Sequence, residues 1–287
     1  MKHLREKIEG NKLPSLCVMT PLNKKHVREN FTIDPDYDIN KYEGPVTKEY
    51  FLRDKIDLSK KYKYVFKVML DDYGYLSEDE LVRSRNSDGE GELSLKLENS
   101  NFRNGVVVIE GRLHGNGYDF GGTCDDPVVD LEVICVPKSE NLSLFQEILL
   151  EAYSLELEKN YRVSFISYFT AIEAYITKML EDVRCDLYTE LHDSLERLPL
   201  DEKLRIVAKR TSHTLDLSSI KIWGELCGLF RSLKVKRNEV THAKKIVDIK
   251  KSDIDDIFTV ITVLYCFTSL GIFEFNEIKK TLYPKLN

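Results

Sequence analysis

The pattern of hydrophobic and polar positions changes near residue 137 of the 287. Before that point, apolar residues alternate with polar ones along short segments, most clearly at Val129, Leu131, Val133 and Cys135. A period of two is typical of strands with one buried face. Two further segments, 64–70 and 106–109, are rich in β-branched and aromatic residues, which also favour strands. The first part of the chain is therefore predicted to be β-rich.

After residue 137, apolar residues recur at steps of three and four, which is the period of a helix with one buried face. Two such stripes are Phe145, Ile148, Leu149, Ala152 and Leu155, and Phe165, Phe169, Ile172, Ile176 and Met179. The pattern predicts helices at about 142–158, 160–182, 186–196, 201–211, 217–246 and 252–275, with a break allowed in the fifth.

Glycine and proline, which interrupt regular structure, mark the same boundary. Eleven of the 14 glycines and six of the eight prolines lie in residues 1–137. We therefore predict an α+β protein with two domains, a β-rich N-terminal domain at 1–137 followed by an all-α helical bundle at 138–287.

Composition and charge exclude several classes of protein. The chain is 42% hydrophobic and 31% charged with a formal net charge of −6, unlike disordered, collagen-like or disulfide-stapled chains. A protein that coats nucleic acid through bulk positive charge would need a basic composition. Any contact with nucleic acid must therefore be local.

Several features predict a cytoplasmic protein. The first residues carry no leader pattern, and the uncharged run 257–273 is short for a membrane span and holds threonines, so we expect it to be a buried helix. The six cysteines lie mostly in apolar surroundings without C-x-x-C spacing, which indicates reduced, buried thiols.

The residues with the clearest chemistry are the consecutive Arg237, Asn238, Glu239, Val240, Thr241 and His242. On a helix, at about 100° per residue, the four polar residues other than Glu239 share an arc of about 140°, and Val240 lies on the other side. An arginine donates two parallel hydrogen bonds to a phosphate, and a histidine titrates near neutral pH. The arc therefore combines groups suited to binding a phosphate and to moving a proton.

The segment around these residues is strongly basic although the whole chain is acidic. Residues 231–251 contain eight basic and two acidic residues, a local charge of +6. A polyanion would be attracted here and repelled elsewhere. We predict RNA-backbone contacts at Arg231, Lys234, Lys236, Lys244 and Lys245. The alternative is that these residues are ordinary solvated charges.

The order Arg-Asn-x-x-x-His, late in an all-helical domain, resembles the signature of the HEPN superfamily. Residues 167–176, Ser-Tyr-Phe-Thr-Ala-Ile-Glu-Ala-Tyr-Ile, also resemble an early helix of HEPN domains. A β-rich region ahead of such a domain is similar in layout to the ApeA-type HEPN proteins of bacterial antiphage defence. The resemblance covers about 140–285 as a domain, and the N-terminal half matches only in general character.

The resemblance implies a metal-independent endoribonuclease, without cofactors, that cuts single-stranded RNA. It implies a homodimer in which the motif helices of two protomers form one site, and a toxin-like effector in defence. His242 would be the general acid or base, Arg237 would hold the scissile phosphate, and Asn238 would orient the phosphate or His242. Thr241 shares their arc and would support them. The N-terminal domain would sense a protein or ligand trigger, or restrain the nuclease.

Glu173 is the only charged residue between Arg162 and Lys178, and it borders the apolar stripe of its predicted helix. A carboxylate in such a place needs a partner. Glu173 would either support the site by pairing with Arg237 or His242 across a helix pair, or form an ordinary structural ion pair.

Other functions stay open on the sequence alone. The helical domain could be a non-catalytic module that binds RNA or protein while the β-rich domain recognises a ligand or partner. The glycine-rich loop 115–122 lies near His114, Asp119, Cys124, Asp125 and Asp126. Their spacing fits no ligand pattern, so we expect no metal there and interpret the loop as a binding edge.

Overall fold

The computed structural model describes residues 12–30, 47–75, 85–86, 89–101, 105–116, 127–214, 216–242 and 247–282. These residues form a mixed α+β protein, as the sequence predicts. They divide into two units, one spanning Leu22–Glu140 and one combining the described residues before Leu22 with those of Asn141–Asn287. Most of the first unit is strand and most of the second is helix.

The described part of the strand unit contains β1 (Asn23–Asn30), β2 (Thr47–Asp57), β3 (Tyr62–Tyr75), β4 (Arg85–Asn86), β5 (Gly89–Asn101), β6 (Val106–Asn116) and β7 (Pro127–Pro137). One antiparallel sheet has the order β1–β7–β3 and the other β2–β6–β5–β4. Alternate residues of β6 and β7 enter one hydrophobic core, among them Ile109, Leu131 and Val133. The predicted period of two is thus confirmed in β7, and β6 is a strand as its β-branched residues predict.

A tight turn between β2 and β3 depends on one glycine. Residues Leu58–Lys60 form a single 3₁₀ turn, and the Leu58 N–H donates to the Gly105 carbonyl over 2.7 Å. Gly105 has φ of +65°, and a Cβ atom placed there would lie 2.8 Å from the Ser59 nitrogen. Any other residue would meet both steric clash and backbone strain at this position.

The helical unit contains α1 (Leu13–Met19), α2 (Leu144–Leu157), α3 (Tyr161–Arg184), α4 (His192–Arg197), α5 (Leu200–Ser212), α6 (Lys221–Thr241), α7 (Lys251–Ser269) and α8 (Phe275–Leu282). α3 and α7 lie at its centre: α3 contacts α2, α5, α6 and α7, and α7 also contacts α1, α5 and α6. The predicted stripe of α3 is buried at Phe165, Phe169, Ile172 and Ile176, as its period requires.

Two predicted helices end earlier in the structure than the sequence analysis placed them. α7 ends at Ser269 rather than near 275, because Gly271 adopts a left-handed φ of +64° just beyond it. α6 ends at Thr241 rather than 246, and residues 217–219 form a separate 3₁₀ turn ahead of it. The uncharged run 257–273 is nevertheless mostly buried helix, as expected. No helix among the described residues is long and apolar enough to cross a membrane.

α1 packs with the helical unit although it precedes all the described strands. It contacts α7 and α8, and the side-chain amide of Gln146 on α2 donates to the Met19 carbonyl at the end of α1 over 3.0 Å. The strand unit is therefore an insertion between α1 and α2. The domain boundary predicted from the sequence places α1 in the β-rich part at 1–137 instead.

The expectation of buried thiols is met by some of the cysteines and not by others. Cys135 and Cys266 are buried, and burial raises their pKa values to about 11 and about 12. Cys17 and Cys185 are exposed, and Cys227 is half-buried, so the expectation was wrong for these residues. All five are free thiols, and Cys124 lies outside the described residues.

Candidate functional site

The Arg-Asn-x-x-x-His motif lies at the C-terminal end of α6. The helix presents an apolar stripe to the bundle at steps of three and four, formed by Leu226, Phe230, Leu233 and Val240. Arg237 occupies the position between Leu233 and Val240 in this stripe. The Cα atom of Arg237 therefore lies on the buried face of the helix. The sequence predicts instead that Arg237 lies on a polar arc away from Val240.

The Arg237 guanidinium is held by two residues of α3. Its Nη2 lies 3.4 Å from Glu173 Oε1, and its Cζ lies 5.4 Å from the centre of the Phe169 ring. Phe169 in turn stacks on Phe230 of α6 with 5.8 Å between ring centres. Arginine side chains on helices extend toward the helix N-terminus, which brings the guanidinium over this aromatic pair. The side chains of Arg237 and Glu173 stay 31% and 37% exposed, so the pair is open to solvent.

The other motif residues point away from the core. Asn238, Thr241 and His242 are exposed, and Asn238 Oδ1 accepts a long 3.4 Å bond from Arg237 Nη1. The Thr241 hydroxyl donates to the Arg237 carbonyl over 2.8 Å, so it is already used within the helix.

His242 is the residue that follows α6. Its N–H donates to the Asn238 carbonyl over 3.0 Å, which keeps the backbone near helical geometry. Within the described residues its ring makes no hydrogen bond. The motif thus combines a restrained cation with an exposed imidazole and an exposed amide.

The predicted RNA-binding residues fall into three groups. Lys234 pairs with Asp201 of α5 over 3.0 Å, and Lys236 pairs with Asp253 of α7 over 2.5 Å. Arg231 is exposed, and no carboxylate of the described residues lies within ion-pairing distance of it. Lys244 and Lys245 lie outside the described residues. Of the three described residues in this set, Arg231 is the one with an uncompensated charge, and RNA contact stays a prediction for all five.

Sequence reasoning missed Arg162, in the first turn of α3. Its Nη2 lies 3.4 Å from the Val240 carbonyl, in the last turn of α6. Spacing along the sequence could have identified this residue. Arg162, Phe169 and Glu173 stand at i, i+7 and i+11, so they share the face of α3 that meets the motif.

It also missed a seam on the outward face of α6. Exposed residues follow one another at alternating steps of four and three, a heptad spacing, at Gly224, Gly228, Arg231, Val235, Asn238 and His242. Val235 is 60% exposed, and a Cβ atom built at either glycine would meet nothing within 4 Å. An apolar residue and two glycines in this register suit the close approach of a second helix.

Comparisons with family models, with curated proteins and with solved structures find no match to this chain. No group of three or more His, Cys, Asp or Glu side chains that could hold a metal ion occurs among the described residues. Residues 117–126, which include most of the glycine-rich loop 115–122, lie outside the described residues. The candidate site therefore consists of the motif together with Glu173, Phe169 and Arg162.

Proposed function

We propose that this protein is a HEPN-type, metal-independent endoribonuclease that cuts single-stranded RNA as a homodimer. The observation that supports this best is the arrangement of the motif. Arg237 is restrained by Glu173 and Phe169, yet its guanidinium is still accessible. Asn238 is exposed next to it in the chain, and His242 is exposed five residues on, at the end of the same helix. A preorganised cation and an imidazole that can both reach one phosphate group are what phosphate-ester cleavage requires.

The proposed reaction uses the RNA 2′-hydroxyl as the nucleophile. A histidine removes its proton, the 2′-oxygen forms a bond to phosphorus, and the bond from phosphorus to the 5′-oxygen breaks as that oxygen takes up a proton. Arg237 binds the phosphate and the charge that develops on it, and Asn238 orients it. The products are a 2′,3′-cyclic phosphate and a 5′-hydroxyl. DNA has no 2′-hydroxyl and is not a substrate.

A dimer would supply the two proton transfers together. One His242 acts as the base while the other donates a proton to the leaving oxygen, so the helices that carry them must meet. The α6 seam supports such a pairing, because it places Val235 and two glycines on the same outward face as Asn238 and His242. The same patch on both subunits is self-complementary in a two-fold dimer.

The proposed biological role is that of a toxin-like effector in antiphage defence, with an ApeA-like layout, in the cytoplasm. The strand unit would sense a protein or ligand trigger. Its insertion between α1 and α2 supports a regulatory role, because both of its chain ends join the helical unit. A change in the strand unit would act on two points of that unit at once.

The proposal is tested by incubating the full chain with single-stranded RNA in the presence of EDTA. We expect cleavage to 2′,3′-cyclic phosphate ends, and a loss of about 100-fold or more in His242→Asn and Arg237→Ala. The matched controls are His213→Asn and Arg205→Ala, both exposed on or next to α5. His213 has φ of +51°, which asparagine tolerates. Both controls should cut as well as the wild type.

The same experiment separates the rival functions. Cleavage that persists in His242→Asn contradicts the assigned site, and cleavage abolished by EDTA contradicts the metal-free reaction. RNA that is bound but not cut, with binding lost in Arg237→Ala, identifies a non-catalytic binding module. For the dimer, Val235→Glu should give a monomer by analytical ultracentrifugation and should lose cleavage, because a buried charge at the seam opposes pairing.

A further inference from the structure

The charge of Arg162 has no acidic partner in the part of the chain that the structure describes. The residue is exposed, and within that part no carboxylate lies in ion-pairing distance of it. Its hydrogen bond among the described residues is the 3.4 Å bond to the Val240 carbonyl, which uses one of five N–H donors. By contrast, Arg237, Lys234 and Lys236 all face a carboxylate.

The position of Arg162 connects it to the motif. Val240 lies between Arg237 and His242 in the chain, so Arg162 makes its contact at the end of α6 that carries the motif. One face of α3 therefore supplies three contacts to this end of α6: Arg162 to Val240, Phe169 to Arg237, and Glu173 to Arg237.

We infer that Arg162 binds an RNA phosphate next to the scissile one, and this inference rests on the proposed nuclease function. The donors that the Val240 carbonyl does not use are free for a phosphate, and a planar guanidinium binds phosphate oxygens through paired hydrogen bonds. Arg162 and Arg237 would then hold consecutive parts of the RNA backbone, with the scissile phosphate at Arg237 beside His242.

A purely structural role predicts something different. A cation at the C-terminal end of a helix stabilises the unpaired carbonyls there. Arg162→Gln separates the two roles, because glutamine keeps an N–H donor for the Val240 carbonyl and removes the charge. Arg162→Lys keeps the charge and loses the planar fork.

The experiment measures binding of 2′-O-methyl single-stranded RNA, which cannot be cut, by fluorescence anisotropy over a series of salt concentrations. We expect Arg162→Gln to weaken binding about tenfold at low salt and to reduce the slope of log K against log salt by about 0.7, the value for one phosphate on a single strand. Arg162→Lys should keep the slope, and the matched control Arg205→Gln should keep both affinity and slope.

The outcomes distinguish a failure of the Arg162 inference from a failure of the nuclease proposal. If the wild type cuts RNA and Arg162→Gln keeps the wild-type affinity and slope, the Arg162 inference is overturned and the nuclease proposal stands. A variant that only melts at a lower temperature likewise shows a capping role and overturns the inference. If the wild-type protein neither binds nor cuts RNA, both proposals fail.

Discussion

Two clusters in the helical unit are built from the same three components and differ in exposure. In each, a cation lies over an aromatic ring and faces a carboxylate from another helix. In the first, Lys12 at the start of α1 lies 5.0 Å from the Phe258 ring centre and pairs with Glu156 and Asp255. In the second, Arg237 lies over Phe169 and faces Glu173.

The Lys12 cluster is closed to solvent. Its three charged side chains, Lys12, Glu156 and Asp255, are 5%, 9% and 11% exposed. Lys12 Nζ donates to Glu156 Oε1 over 2.6 Å, and the other oxygen of Glu156 accepts from the Tyr168 hydroxyl over 2.8 Å. Asp255 Oδ1 lies 2.9 Å from Lys12 Nζ but receives no aligned hydrogen bond, so this contact is electrostatic.

The difference in solvent exposure indicates a different role for each cluster. Buried charges have lost their hydration, so each depends on its partner, and removing one leaves the others unpaired in the core. The ion pair between Arg237 and Glu173 is about one-third exposed and has a separation of 3.4 Å, so it adds little stability. A ligand can therefore replace Glu173 at the guanidinium at low cost. The Lys12 cluster therefore fixes α1 in the bundle, whereas the Arg237 cluster leaves its cation accessible to solvent, as the proposed phosphate binding requires.

The largest effect is expected from Lys12→Met, which leaves Glu156 and Asp255 buried without a cation. We expect the free energy of unfolding to fall by about 3–5 kcal/mol. Urea unfolding followed by the fluorescence of Trp223, the single tryptophan, reports on the helical unit. The exposed Lys178→Met is the matched control and should change stability by less than about 0.5 kcal/mol. Equal stability of the two variants would contradict the closed-cluster interpretation.

A smaller effect is expected from Tyr168→Phe, which keeps the ring and removes the hydroxyl donor to Glu156. The expected cost is about 1–2 kcal/mol at neutral pH. Burial, and then the Glu156 charge, raises the pKa of Tyr168 well above its ordinary value. A raised pKa contributes stability that is present below the unfolded pKa of about 10 and is lost as pH rises above it.

The stability difference between wild type and Tyr168→Phe should therefore narrow between pH ~9 and ~11. Urea unfolding across that range, again with Trp223 fluorescence, measures it. Tyr188→Phe is the control, because Tyr188 is 81% exposed and its hydroxyl should contribute nothing. A difference that is constant with pH would mean that Tyr168 ionises alike in the folded and unfolded states.

The smallest effect is expected from Glu173→Gln at the open cluster. The free energy of unfolding should change by less than about 1 kcal/mol, because both partners are about one-third exposed. A double-mutant cycle with Arg237→Ala measures the coupling between the two residues, and the exposed Glu181→Gln on α3 is the control. A coupling of about 3 kcal/mol or more would make this pair a structural one and would remove the contrast with Lys12.

Local periodicity predicted much of what forms these clusters. The buried stripe of α3, strand β7 and the burial of Val240 follow directly from spacing, and strand β6 follows from its β-branched residues. The positions at which helices end were harder to predict from the sequence. The left-handed Gly271 ends α7, although its apolar run continues to Phe273, because a backbone conformation outweighed the periodic pattern.

The candidate site was predictable in its composition but only partly in its geometry. The motif and Glu173 were found from residue type and spacing. Arg162 was not, since its contact with Val240 joins residues 78 positions apart. The alternating seam of α6 was present in the sequence, but its exposure follows from which face of the helix packs against α3 and α7.

The α+β class, the two kinds of local structure and the motif could be predicted from the amino-acid sequence, because these depend on neighbouring residues and on composition. Packing between distant parts of the chain is what returns α1 to the helices, buries Lys12 against Glu156 over a separation of 144 residues, and leaves Arg237 partly exposed. The physical reason is that a side chain's charge is set by its type, whereas its hydration and its partners are set by packing between distant parts of the chain.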